Sequence, residues 1–97
     1  MTHSIDWTPV TPDHVRTALA DYDRLGAEEF LRTAGFGPTT TYDLVVDDRT
    51  YPPKAILGAA YADATGTRLE PGDFEGGRSG AVRVLTALGF DVRERAH

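Results

Sequence analysis

Ninety-seven residues and 10.5 kDa give room for one small domain and one core. Size scaling sets a folded surface of about 5,400 Å² against roughly 15,000 Å² for the open chain, so folding hides about 64% without staples. The absence of Cys excludes a disulfide framework, a zinc knuckle and a thiol nucleophile, and the −5 net charge argues against non-specific nucleic-acid binding.

No apolar run approaches the eighteen or so residues of a membrane span, and the opening MTHSIDWTPV does not read as a signal peptide. The expectation is a soluble, cytoplasmic chain with no membrane partner. Charge is unevenly spread: residues 1–77 carry six basic and thirteen acidic groups, whereas residues 78–97 carry four basic and two acidic. A polyanion therefore meets the C-terminal fifth first. The chain holds neither Asn nor Gln, so bidentate reading of adenine by a side-chain amide is not available.

Residues 1–10 read as an N-terminal arm, 11–93 as the core and 94–97 as a tail of one domain. In the arm, Trp7 is either a staple onto the domain or an exposed binding aromatic. Thr11 caps a first helix, Pro12 suits its first position, and Val15, Ala18, Leu19 and Tyr22 line one face before Gly26 stops it. A shorter helix runs from about Ala27 to Ala34, burying Phe30 and Leu31, and Gly35 closes it. After a loop over Phe36 to Thr41 the period becomes two, with Tyr42, Leu44 and Val46 on one face of a strand. Asp47-Asp48-Arg49 reads as a turn and Thr50-Tyr51 as a brief return strand.

Pro52-Pro53 ends that strand and suits the start of a third helix, whose stripe is Ile56, Leu57, Ala60, Tyr61 and Ala64. Gly58 and Ala59 permit close approach of another element, and Gly66 terminates the helix. A polar loop over Thr67 to Gly77 is pinned by Leu69 and Phe74. The fourth helix buries Ala81, Val84, Leu85 and Leu88, with Ser79 as cap and Gly89 as stop. Phe90 to Arg93 alternates as a last strand, which most simply joins the hairpin. The predicted class is α+β: four short helices on a two- to three-stranded antiparallel sheet, order ααββααβ, compatible with a winged-helix-like arrangement.

Few residues point to catalysis. His3, His14 and His97 have no metal-ligand spacing, and Ser4 and Ser79 lie in no nucleophile turn. The carboxylate pairs Asp21/Asp23, Glu28/Glu29 and Asp47/Asp48 read as solvated helix ends and turns. The expectation is a non-catalytic chain with no metal or cofactor of its own.

One stretch is suggestive. Gly76-Gly77-Arg78-Ser79-Gly80 leads into the fourth helix, where free amides and a side-chain-free backbone make an anion site. Ser79, Val82, Arg83 and Thr86 share the face opposite the apolar stripe, and Arg78 stands at the mouth. The candidate DNA-binding set is Lys54, Gly77, Arg78, Ser79, Arg83 and Thr86, mainly toward phosphates. The plain alternative is an ordinary polar face after a tight turn, and Asp73 and Glu75 nearby oppose a polyanion. Lys54 stands in the first turn of helix three, where the helix dipole disfavours a cation. It therefore needs a carboxylate, for which Asp47 or Asp48 is placed, or an anion.

Four blocks in order carry a resemblance. They are Asp21-Tyr22-Asp23-Arg24-Leu25-Gly26 with Phe30-Leu31 and Gly35-Phe36-Gly37; Tyr51-Pro52-Pro53-Lys54-Ala55-Ile56-Leu57-Gly58-Ala59-Ala60-Tyr61; Asp73-Phe74-Glu75-Gly76-Gly77; and Leu88-Gly89-Phe90-Asp91-Val92. Together they resemble the N-terminal head domain of McrA-like, modification-dependent (type IV) HNH restriction endonucleases of actinomycetes, over about residues 11–93. The resemblance implies a head rather than a nuclease. Separate downstream domains of such enzymes recognise phosphorothioated or methylated DNA, and an HNH domain cuts with a divalent metal. The implied partners are double-stranded DNA, modified or not, the downstream domains, and a second copy if the head dimerises. Gly58-Ala59-Ala60 is the small-residue patch that favours assembly.

Overall fold

The computed structural model describes residues 5–37, 41–77 and 80–94. Helices α1 (Pro12–Leu25), α2 (Ala27–Ala34), α3 (Pro53–Thr65) and α4 (Ala81–Ala87) pack with strands β1 (Tyr42–Val46), β2 (Arg49–Tyr51) and β3 (Asp91–Glu94). The strands form one antiparallel sheet in the order β2-β1-β3. The α+β class and the order of elements are those the sequence predicts.

Thr11 caps α1 as expected, accepting from the His14 amide at 3.4 Å, while His14 Nδ1 accepts from the Thr11 amide at 3.0 Å. His14 thus fills the place that Glu or Gln takes in the usual capping box. Gly26 both ends α1 and precedes α2, at φ +87°, a conformation that an L side chain resists. The hairpin needs a correction. Only Asp47 and Asp48 form the turn, at φ +51° and +65°, the two left-handed residues of a type I′ connection. Arg49 is already in β2, opposite Val46. β3 is shifted one residue on from the expected strand and pairs with β1 through Leu44↔Val92.

The core is one contiguous cluster, with Val15, Leu44, Ile56, Leu57 and Leu85 fully buried. α3 lies at its centre and buries more than the single predicted stripe, since Pro53, Ala55 and Gly58 are buried too. A helix enclosed on most sides is apolar on most sides. Gly58 faces the ring of Phe36, and a Cβ there would stand 2.7 Å from Phe36 Cζ. Gly58 and Ala60 are therefore spent inside the fold and not on an assembly surface, while Ala59 is half-buried.

Two long-range ties close the fold. Trp7 is half-buried, edge-on to Tyr61 at 5.4 Å and to Phe74 at 5.2 Å, so it is the staple and not an exposed aromatic. The Tyr51 hydroxyl donates to Asp23 at 3.0 Å, and Arg49 approaches the same carboxylate at 3.2 Å. Burial, with the Asp23 hydrogen bond adding to it, pushes the Tyr51 phenol above its ordinary range. The Asp23 charge, chiefly, raises the Arg49 guanidinium further. No helix among the described residues is long and apolar enough to cross a membrane.

Candidate functional site

The segment before α4 folds back on the helix it introduces. Gly80 donates to the Gly77 carbonyl at 2.9 Å, Ala81 to Glu75 at 2.8 Å and Val82 to Gly77 at 3.2 Å. Among the described residues, three of the amides expected to receive an anion are thereby occupied by the chain's own carbonyls. Gly80 makes this possible, because a Cβ there would lie 1.9 Å from the Glu75 oxygen. The glycines do admit a backbone, but it belongs to this protein. What remains of the predicted site is its side chains.

Arg78 and Ser79 lie outside the described residues, as do His3 and His97. Arg83 and Thr86 are exposed on α4, and Arg83 already has an interaction partner. Lys54 does not turn to Asp47 or Asp48. Its ammonium donates to the Pro71 carbonyl and stands 5.3 Å from the centre of the Phe74 ring. Its alkyl chain runs beside Gly76, whose Cβ would meet Lys54 Cδ at 3.5 Å. Lys54 and Gly77 thus come together, in a cleft of about 420 Å³ that Phe36, Tyr42 and Pro71 also line. Arg83 and Thr86 do not line it. Sequence reasoning missed Pro71 and Phe74 as partners of Lys54, since nothing local ties residues so far apart.

Five arginines elsewhere are matched by carboxylates. Arg16 pairs with Asp13, Arg24 with Asp21, Arg32 with Glu29, Arg49 with Asp23 and Arg93 with Asp91. Two of the carboxylate pairs noted in the sequence are thus drawn on by arginines, and the third forms the hairpin turn. Among the described residues no three His, Cys, Asp or Glu gather where a metal ion could be held.

The family model of the ScoMcrA-like N-terminal head domain matches residues 8–94. The chain belongs to this family. Among solved structures, the head domain is similar to part of the type IV phosphorothioation-dependent restriction endonuclease ScoMcrA, at 29% identity and a TM-score of 0.68. The alignment covers 92% of this chain and 14% of that enzyme's chain. No curated protein matches. Three of the blocks that carry the family resemblance supply walls of the cleft: Phe36 and Gly37 from the first, Pro52 to Ala55 from the second, Gly76 and Gly77 from the third.

Proposed function

We propose that this head is a non-catalytic accessory domain of a cytoplasmic DNA-restriction enzyme, and that it steadies the enzyme on duplex DNA through side-chain contacts to phosphates. The contacting set is Lys54, Gly77, Arg78, Ser79, Arg83 and Thr86, around the cleft and the start of α4. Recognition of a modified base or backbone, and cutting with a divalent metal, belong in this reading to separate domains. The observation that supports it is the charge at Lys54. Its ammonium has a carbonyl and a ring as partners, both neutral, on a chain of net charge −5.

The proposed set carries three cations: Lys54, Arg78 and Arg83. The log–log salt dependence of duplex binding is then roughly −2.7. Arg83→Ala weakens binding across sequences and flattens that slope by about 0.9. Fluorescence titrations at several salt concentrations measure both, and a slope unchanged in the variant removes Arg83 from the interface.

A second reading, a protein-interaction head that dimerises or docks on the downstream domains, is favoured by one observation. The first 77 residues carry thirteen acidic groups against six basic, and several of those basic groups are spent on carboxylates. A concentration-dependent dimer in sedimentation, with no duplex bound at low salt, selects it.

A further inference from the structure

We infer that the cleft beside Lys54 is a nucleotide-binding site, taking the phosphate at the lysine and the base along its aromatic and proline wall. This deepens the reading above and rests on it for the source of the ligand, a DNA strand. The cleft forms where four separate segments meet: the turn after α2, the start of β1, the start of α3, and the loop from Pro71 to Gly77. Its volume of about 420 Å³ is far larger than a bare anion needs. It lies in the range of small-molecule pockets, about 300–1,000 Å³.

The chemistry of the walls is mixed. The lining includes Lys54, whose ammonium is bound to neutral groups only. α3 begins there without a side-chain cap, so its dipole adds to the local positive potential. Arg68 adds a second cation nearby. Its guanidinium lies over Gly35, next in the chain to Phe36, and among the described residues no carboxylate pairs with it. Of the loop's carboxylates, Asp73 accepts from the Glu70 amide at 2.8 Å, and neither Asp73 nor Glu75 lines the cleft. The lining also includes the rings of Phe36, Tyr42 and Pro52. At the rim, a Cβ on Gly37 or Gly77 would meet nothing within 4 Å, which leaves backbone open to close approach. A ligand with an anion at one end and a planar ring at the other uses both the lysine and these rings, and a nucleotide is such a ligand. A carboxylate-bearing side chain would satisfy the lysine and leave the rings wet.

The test is an amide-resolved NMR titration of the 97-residue chain. The probes are deoxythymidine 5′-monophosphate, thymidine, inorganic phosphate and a short duplex. The monophosphate is expected to move the amides of Gly37, Tyr42, Ala55 and Gly77, and to bind about tenfold more tightly than thymidine or phosphate alone. Lys54→Met should weaken it about tenfold. Gly77→Leu, whose side chain enters open space, should weaken it too without loss of fold. The inference is overturned if the monophosphate leaves the cleft amides unmoved, if both variants bind as before, or if phosphate alone binds equally well. Duplex binding with a silent cleft sinks the inference and leaves the DNA-backbone reading standing. Monophosphate binding in the cleft without duplex binding supports the site, assigns its ligand to free nucleotide and sinks that reading instead.

Discussion

Gly58 in the middle of α3 sets two effects of known size against each other. Replacing it with Ala removes a poor helix former and stabilises the helix by about 1 kcal/mol. The new Cβ, however, would stand 2.7 and 2.8 Å from Cζ and Cε2 of Phe36, and 3.3 Å from Cε1. Ordinary carbon contacts lie at about 3.5–4.0 Å, so the ring must retreat by roughly 1 Å. Phe36 is only 8% exposed and stands edge-on to Phe74 at 5.9 Å, so it has little space to yield. Overpacking of this kind costs about 1–3 kcal/mol. The net expectation for Gly58→Ala is a loss of about 1 kcal/mol, or a Tm lower by roughly 4–8 °C in a domain of this size. Urea and thermal unfolding of a double-mutant cycle separate the two effects. In a Phe36→Leu background the clash disappears, and the same Gly58→Ala change should be neutral or stabilising by up to about 1 kcal/mol. A Tm raised by Gly58→Ala in the native background would refute the close approach of Phe36.

Gly80→Ala should be harsher: the Glu75 carbonyl must leave the Ala81 amide, at a cost of roughly 2–4 kcal/mol, while Gly77→Ala changes stability by less than about 0.5 kcal/mol. Hydrogen exchange at Ala81 should rise in the first variant and stay as it is in the second. Tyr51 should ionise above the ordinary tyrosine range in an absorbance titration, and Asp23→Asn should bring it down, because the Asp23 hydrogen bond and charge add to burial in holding its proton. The raised phenol contributes stability that is whole below the unfolded-state value of about 10 and is lost as pH climbs from there through the folded-state value. Alkaline melting that is the same in Tyr51→Phe as in the native chain would contradict this. Lys54→Met should change stability by no more than about 1 kcal/mol, as measured by urea unfolding.

The helices were legible because their ends are written locally. Thr11 with Pro12, Gly26, Gly35 and Gly66 each act within one turn, and each stands where the sequence places it. The hairpin was legible less sharply. A three-residue turn was expected over Asp47 to Arg49, but two aspartates accept the left-handed region, so the turn closes one residue sooner. The tie between Asp23 and Tyr51 spans 28 residues and leaves no periodic trace. The start of α4 misled for a different reason. A glycine permits any backbone to come close, and the residue alone does not say whose. Gly77 and Gly80 read as a cradle for a ligand, and the structure fills the Gly80 side of that cradle with the carbonyl of Glu75.

Lys54 poses the opposite problem, a residue whose local cost is plain and whose partners lie far along the chain. A cation in the first turn of a helix is disfavoured by about 0.3–1 kcal/mol. Arg24 and Arg32 show how the chain places charge when stability alone is served: each sits in the last turn of its helix, paired with a carboxylate three residues earlier. Lys54 has neither advantage. The contact with the Phe74 ring returns about 0.5–1 kcal/mol, and the bond to the Pro71 carbonyl returns about as much again. These gains exceed the dipole cost by about 1 kcal/mol, which bounds what loss of the charge should cost. A strict structural clamp would instead cost 2 kcal/mol or more when cut, roughly the upper end of a charged hydrogen bond. A net return this small, with both partners neutral, is what the proposed phosphate contact at Lys54 requires.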